Sequence, residues 1–70
     1  MEIKPGKYRH FKGNYYEVIG VARHSETMEP MVVYRALYGE GGLWVRPAAM
    51  WTQMVDRDGY HGPRFQYVGE

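Results

Sequence analysis

The stretch MVVYRALYGEGGLWVRPAAMW, Met31 to Trp51, decides how this chain folds. Its first eight residues alternate in the two-residue rhythm of a strand, with Val32, Tyr34, Ala36 and Tyr38 on one face and Met31, Val33, Arg35 and Leu37 on the other. Both rows are largely apolar, so neither is clearly the solvent side, and Arg35 must reach a rim or find a partner. Gly39, Glu40, Gly41 and Gly42 read as a hairpin loop that returns the chain into Leu43 to Arg46, where Trp44 and Arg46 share a face. Pro47 to Trp51 reads as one helical turn, because proline tolerates the first helical position and the alanines favour continuation.

Outward from this hairpin the chain is punctuated in the same way. Lys7 to Phe11 is a short strand closed by Lys12, Gly13 and Asn14, and Tyr15 to His24 is a longer one with a bulge or bend expected at Gly20. Ser25 to Pro30 is a loop. Beyond the helical turn, Gln53 to Asp56 reads as a strand, Asp58 and Gly59 as a turn, and PRFQYV, Pro63 to Val68, as the closing strand. Five or six short antiparallel strands with one helical turn before the last pair predict an all-β domain closed or nearly closed into a small barrel, since closure removes exposed edges. A split two-sheet roll is the alternative.

Composition supports one domain across residues 1–70. A chain of this size hides only about 60% of the surface its unfolded form exposes, so its core must be efficient. Seven Tyr, two Trp and two Phe supply that efficiency. The absence of cysteine excludes a disulfide, a thiolate nucleophile and a cysteine-based zinc site, and suits a cytoplasmic location. No apolar run approaches a membrane span, and no membrane partner is expected. The net charge of +1 is far from that of a dedicated duplex binder, although Ile3 to Tyr16 carries Lys4, Lys7, Arg9, His10 and Lys12 with no acid among them. Such a run is a solvated basic end or a local positive patch.

Four motifs, KYRHFKG (Lys7 to Gly13), HSET (His24 to Thr27), VVYRALYG (Val32 to Gly39) and LWVRP (Leu43 to Pro47), together resemble the small bacterial family of domain of unknown function 1653. The resemblance runs from about Lys7 to Tyr67 and implies an SH3-like barrel. It brings no activity, cofactor or site residue with it. Trp51 stands where the family carries an aliphatic residue or Phe, a departure that leaves the fold expectation intact.

Catalytic signals are sparse. His24, Ser25 and Glu26 are adjacent, which argues against a triad, because a triad is normally assembled from separate segments. His24 and Glu26 form an acid and base pair if the strand persists through them; otherwise His24 is a strand-end residue bonded to loop backbone. His10, His24 and His61 with Glu26 or Asp56 match no metal-ligand spacing, so no metal and no cofactor is expected. Gly39 to Gly42 precedes a strand rather than a helix and is no phosphate cradle.

What remains is an aromatic and arginine set: Tyr8, Tyr34, Tyr38 and Trp44 with Arg9, Arg35 and Arg46. Rings stack bases or grip proline, and guanidinium groups pair with phosphate or carboxylate. The opposing reading makes the rings core and the arginines lids over them. The sequence thus describes a binding module more than an enzyme. Tyr34 and Trp44 are its expected stacking anchors, with Arg35 and Arg46 as anion partners. The expected ligand is a nucleotide or single-stranded nucleic acid, and the alternatives are a peptide or protein partner, or a small acid-base enzyme using His24 and Glu26.

Overall fold

The computed structural model describes residues 3–69. Seven strands and one helix follow one another: β1 (Gly6–His10), β2 (Tyr15–Arg23), β3 (Pro30–Ala36), β4 (Leu43–Pro47), α1 (Ala48–Trp51), β5 (Met54–Arg57), β6 (Tyr60–Pro63) and β7 (Phe65–Gly69). Five of them form one antiparallel sheet in the order β4-β3-β2-β1-β7, and β5 pairs with β6 as a separate hairpin. Successive strands pair as neighbours from β1 to β4, and the last strand returns beside the first, which is the order of an SH3-like barrel.

The bend expected at Gly20 is present. The β2–β3 register shifts between Val18 and Gly20, so Ile19 is the extra residue of a bulge, and the nine-residue β2 turns the sheet on itself there. β3 keeps its alternation throughout, and its inward residues Val32, Tyr34 and Ala36 are all buried. With Tyr8 and Val18 from neighbouring strands, Ala48 and Trp51 from α1, and Phe65 from β7, Val32 and Tyr34 make the core.

Trp51 is the plug of this barrel. Only 2% of its surface is exposed, and its ring lies parallel to Phe65 at a centroid distance of 3.7 Å, with Tyr34 at 4.9 Å and the edge of Tyr8 at 5.4 Å. One helical turn delivers it. Pro47 takes the N-cap position, so its missing N–H interrupts no helical bond, and Thr52 closes the turn with its backbone N–H on the Ala48 carbonyl.

The C-terminal third departs from expectation, with seven strands in place of five or six. Asp58 and Gly59 both adopt positive φ, the geometry of a two-residue hairpin turn, so Tyr60 to Pro63 pairs with β5. The segment read as one closing strand from Pro63 is therefore divided at Arg64. There the backbone N–H of Arg64 bonds the Gln53 carbonyl, and its carbonyl accepts from Phe11, which turns the chain from one ladder into the other. A short strand such as Tyr60 to Pro63, holding a glycine and a proline, carries almost no propensity of its own.

Replacing Trp51 with Ala is expected to cost about 3–5 kcal/mol of unfolding free energy, the range for emptying a large aromatic site. Trp51→Phe, which retains a ring against Phe65, is expected to lose clearly less, and urea denaturation monitored by circular dichroism measures both.

Candidate functional site

The sheet order ends on β4 and β7, which are not paired with each other. Side chains close that seam. Arg46, opposite Val32 and therefore on the inward face of β4, extends over Phe65 with its Cζ 5.6 Å from the ring centroid. His10, opposite Phe65 in the β1–β7 ladder, meets the same ring edge-on at 4.9 Å. Arg64 and Lys12 both lie over Phe11, at 6.0 and 5.9 Å, and Phe11 stacks on Tyr60. Strand alternation explains who is present. Tyr8 and His10 point inward from β1 while Lys7 and Arg9 point out, so the N-terminal basic run is split between the two faces.

The seam is electrostatically one-sided. The Nε atoms of Arg46 and Arg64 are buried and have no hydrogen-bond partner. The ion pairs among the described residues are Arg35 with Glu17, Arg57 with Asp58 and His61 with Asp56, so no carboxylate answers either seam arginine. Leaving a buried donor unsatisfied costs on the order of 1–3 kcal/mol, more for a charged group, and two such atoms in one place need a reason. Burial, then the charges of Arg64, Arg46 and Lys12, hold the His10 imidazole below its ordinary value of 6.5. Its Nδ1 accepts the Lys12 backbone N–H at 3.2 Å, so the proton of the neutral ring resides on Nε2.

A strip of rings leads away from this cluster. Tyr16 stands edge-on to His10 at 6.3 Å and to Tyr38 at 5.6 Å, and the Tyr16 and Tyr38 hydroxyls are 2.9 Å apart. Burial and that shared hydrogen bond push the Tyr16 phenol up to about 12. Beyond Tyr38 the strip ends in a small depression walled by Tyr38, the Gly39–Gly42 loop and Trp44.

The residues singled out in the sequence are not all gathered here. Tyr34 is 8% exposed and Tyr8 similarly buried, with its hydroxyl donating to the Lys4 carbonyl, so both are core. Arg35 lies opposite Leu43 on the outer face, where its Nε is 3.6 Å from Glu17. It therefore points away from Arg46, and Arg9 is likewise exposed on the outer side of β1. Arg35 and Glu17 border a shallow outer depression of about 570 Å³, so the arginine there is already partnered. Trp44 and Tyr38 are exposed, at 60% and 51%.

His24 and Glu26 do not pair through side chains. The His24 Nδ1 accepts the backbone N–H groups of Glu26 and Thr27 at 3.1 and 3.4 Å, so the imidazole caps its own loop. Among the described residues no three His, Asp or Glu side chains gather as metal ligands, and no helix is long and apolar enough to cross a membrane.

Arg64 carries no functional signal in the sequence, because it stands between two apolar residues in a stretch that reads as one closing strand. The signal available for His10 was its place in an acid-free basic run.

Comparison with known proteins agrees with the fold. No curated protein matches the chain. The crystal structure of a DUF1653 protein from Bordetella bronchiseptica is similar to it with a TM-score of 0.89 and 43% identity, over 97% of this chain and 90% of that one. The model of DUF1653, a protein family of unknown function, matches residues 6–67. With nearly the whole chain matched by the family model and by a solved structure of the family, this protein belongs to the DUF1653 family.

Proposed function

We propose that this protein is a noncatalytic binding module that takes the anionic group of its ligand, a phosphate or a carboxylate, at the seam between β4 and β7. The observation that carries this reading is the pair of arginines, Arg46 and Arg64, whose Nε atoms are buried without an acceptor. A guanidinium stays charged at every physiological pH and offers a planar fork of donors that fits two oxygens at once. Phe65 and Phe11 beneath the two groups lower the local dielectric and strengthen whatever pairing forms there. Lys12 adds charge, and neutral His10 adds an Nε2–H donor.

The same features weigh against catalysis. A histidine surrounded by three cations is a weak proton acceptor, and none of the ion pairs among the described residues supplies a carboxylate to orient it.

A second reading, a docking strand, is favoured by the free edge of β4. Leu43 and Val45 are exposed beside Val33 on its outer side, where an extended segment of a partner can add a strand. A Val45→Lys variant would weaken that docking and leave anion binding at the seam intact.

Inorganic pyrophosphate, titrated by NMR, tests the first reading. Arg46→Gln and Arg64→Gln are each expected to weaken it on the order of tenfold, the scale of one charged hydrogen-bonding partner. Arg35→Gln is expected to change nothing, and an equal loss in that variant would refute the assignment to the seam.

The pH dependence has a definite sign. Because the folded state depresses the His10 pKa, the unfolded chain binds more protons near pH 6. Stability is therefore full above about pH 6.5 and declines as pH falls towards the lower folded value. A bound anion favours the imidazolium, so pyrophosphate is expected to raise the His10 pKa and to bind more tightly at acid pH. NMR titration of the imidazole with and without ligand measures both.

A further inference from the structure

The depression at the far end of the ring strip suits something other than an anion. Tyr38 and Trp44 present about half or more of their surface, and no charged side chain but Glu40 lines the space between them. The remaining wall is glycine backbone. Gly39 and Gly41 sit at positive φ, and a Cβ built at Gly39 would meet nothing within 4 Å, so the loop leaves open room beside the two rings. Gly42 lies under Trp44, its absent Cβ pointing at the indole Nε1 from 3.8 Å.

The slot is also prepared in advance. The hydroxyl bond from Tyr16 holds Tyr38, and the Ala36 N–H on the Gly42 carbonyl with the Gly41 N–H on the Tyr38 carbonyl pins the loop. An exposed ring held as Tyr38 is loses little rotamer freedom when a flat partner lies on it.

Position decides the partner. Trp44 and Arg46 leave the same face of β4 two residues apart, a separation of about 7 Å along a strand. Tyr16 and His10 fill the inward surface from slot to seam. A ligand that occupies both ends therefore carries a planar ring and an anion within one short span. A proline-rich peptide supplies no anion, and phosphoserine or phosphothreonine supplies no ring. Phosphotyrosine holds its phosphate rigidly in line with its ring, whereas a nucleotide's sugar lets the base lie flat in the slot while the phosphate turns to the seam.

Resting on the anion-binding reading of the seam, we infer that the Tyr38 and Trp44 slot is a base-stacking subsite. The ligand is then a nucleobase joined to a phosphate, either as a free nucleotide or as one unit of a single strand. The base lies against Trp44 beside Tyr38, and the phosphate reaches Arg46 and Arg64. Stacking of this kind tolerates every base, since each has a flat face.

Four probes separate the parts: inorganic phosphate, ribose 5-phosphate, adenosine 5′-monophosphate and an eight-residue oligothymidylate. Binding is followed by isothermal titration calorimetry, which reads the variants with and without Trp44 alike. The mononucleotide is expected to bind on the order of tenfold more tightly than ribose 5-phosphate, the scale of one stacked base. Trp44→Ala is expected to erase that difference without weakening phosphate binding, and Trp44→Phe to restore part of it. Thermal unfolding checks that the variants stay folded.

An oligothymidylate tighter than the mononucleotide, and weakened by salt, identifies a strand as the ligand; equal affinity identifies a free nucleotide. Equal binding of ribose 5-phosphate and the mononucleotide overturns the base subsite and leaves the seam standing. A full mononucleotide advantage in Trp44→Ala overturns it too, as does a phosphotyrosine peptide, added as a competitor beside the four probes, that outbinds both nucleotides. Failure of all four probes, phosphate included, removes the seam reading and this inference together.

Discussion

A five-stranded sheet bent on itself still has two unpaired edges, and in this protein the contact of Trp51 with Phe65 holds them together. The rings lie parallel at 3.7 Å, one carried by the single helical turn after β4 and the other by the first residue of β7. Neither strand donates a ladder bond to the other. Without hydrogen bonds across the seam, closure falls to area and dispersion, and large flat rings supply the most of both per residue. Tyr8 and Tyr34 complete the cage around Trp51, so four of the eleven aromatic residues do the work that a disulfide or a larger core does elsewhere.

Closing a barrel with side chains rather than backbone has a chemical consequence. The residues that flank the stack are held where their donors face little water and no protein acceptor. Arg46 lies over Phe65, and Arg64 is its neighbour in the chain. The Nε1 of Trp51, whose ring stacks on Phe65, is itself buried without a partner. Under the proposed function, a bound anion would give the two arginines the acceptor that the protein itself does not.

The local devices serve the same geometry. The bulge at Ile19 adds the curvature that lets β4 approach β7. The glycine loop between β3 and β4 returns the chain tightly enough to leave Trp44 beside Tyr38. The β5–β6 hairpin, closed by Asp58 and Gly59, brings Tyr60 under Phe11 and supports the ring over which Arg64 and Lys12 lie.

Much of this was determined by the sequence itself. The strand MVVYRA, the glycine hairpin, the helical turn opened by Pro47, the bend at Gly20 and the Asp58-Gly59 turn each follow from short-range chemistry: alternation, φ preference and a missing N–H. Arg35 and Arg46 fall on opposite faces because of the β3–β4 register, which sets Arg35 against Leu43 and Arg46 against Val32 and which alternation alone does not fix. Which face is inward was not legible, because both rows of β3 are apolar and only the curl of the sheet selects one of them. Tyr34, a plausible anchor in the sequence, became core for that reason. The meeting of His10, Arg46 and Arg64 was decided only by tertiary structure. They lie on β1, on β4 and just before β7, far apart in the chain, and no periodicity links positions that become neighbours through a barrel seam.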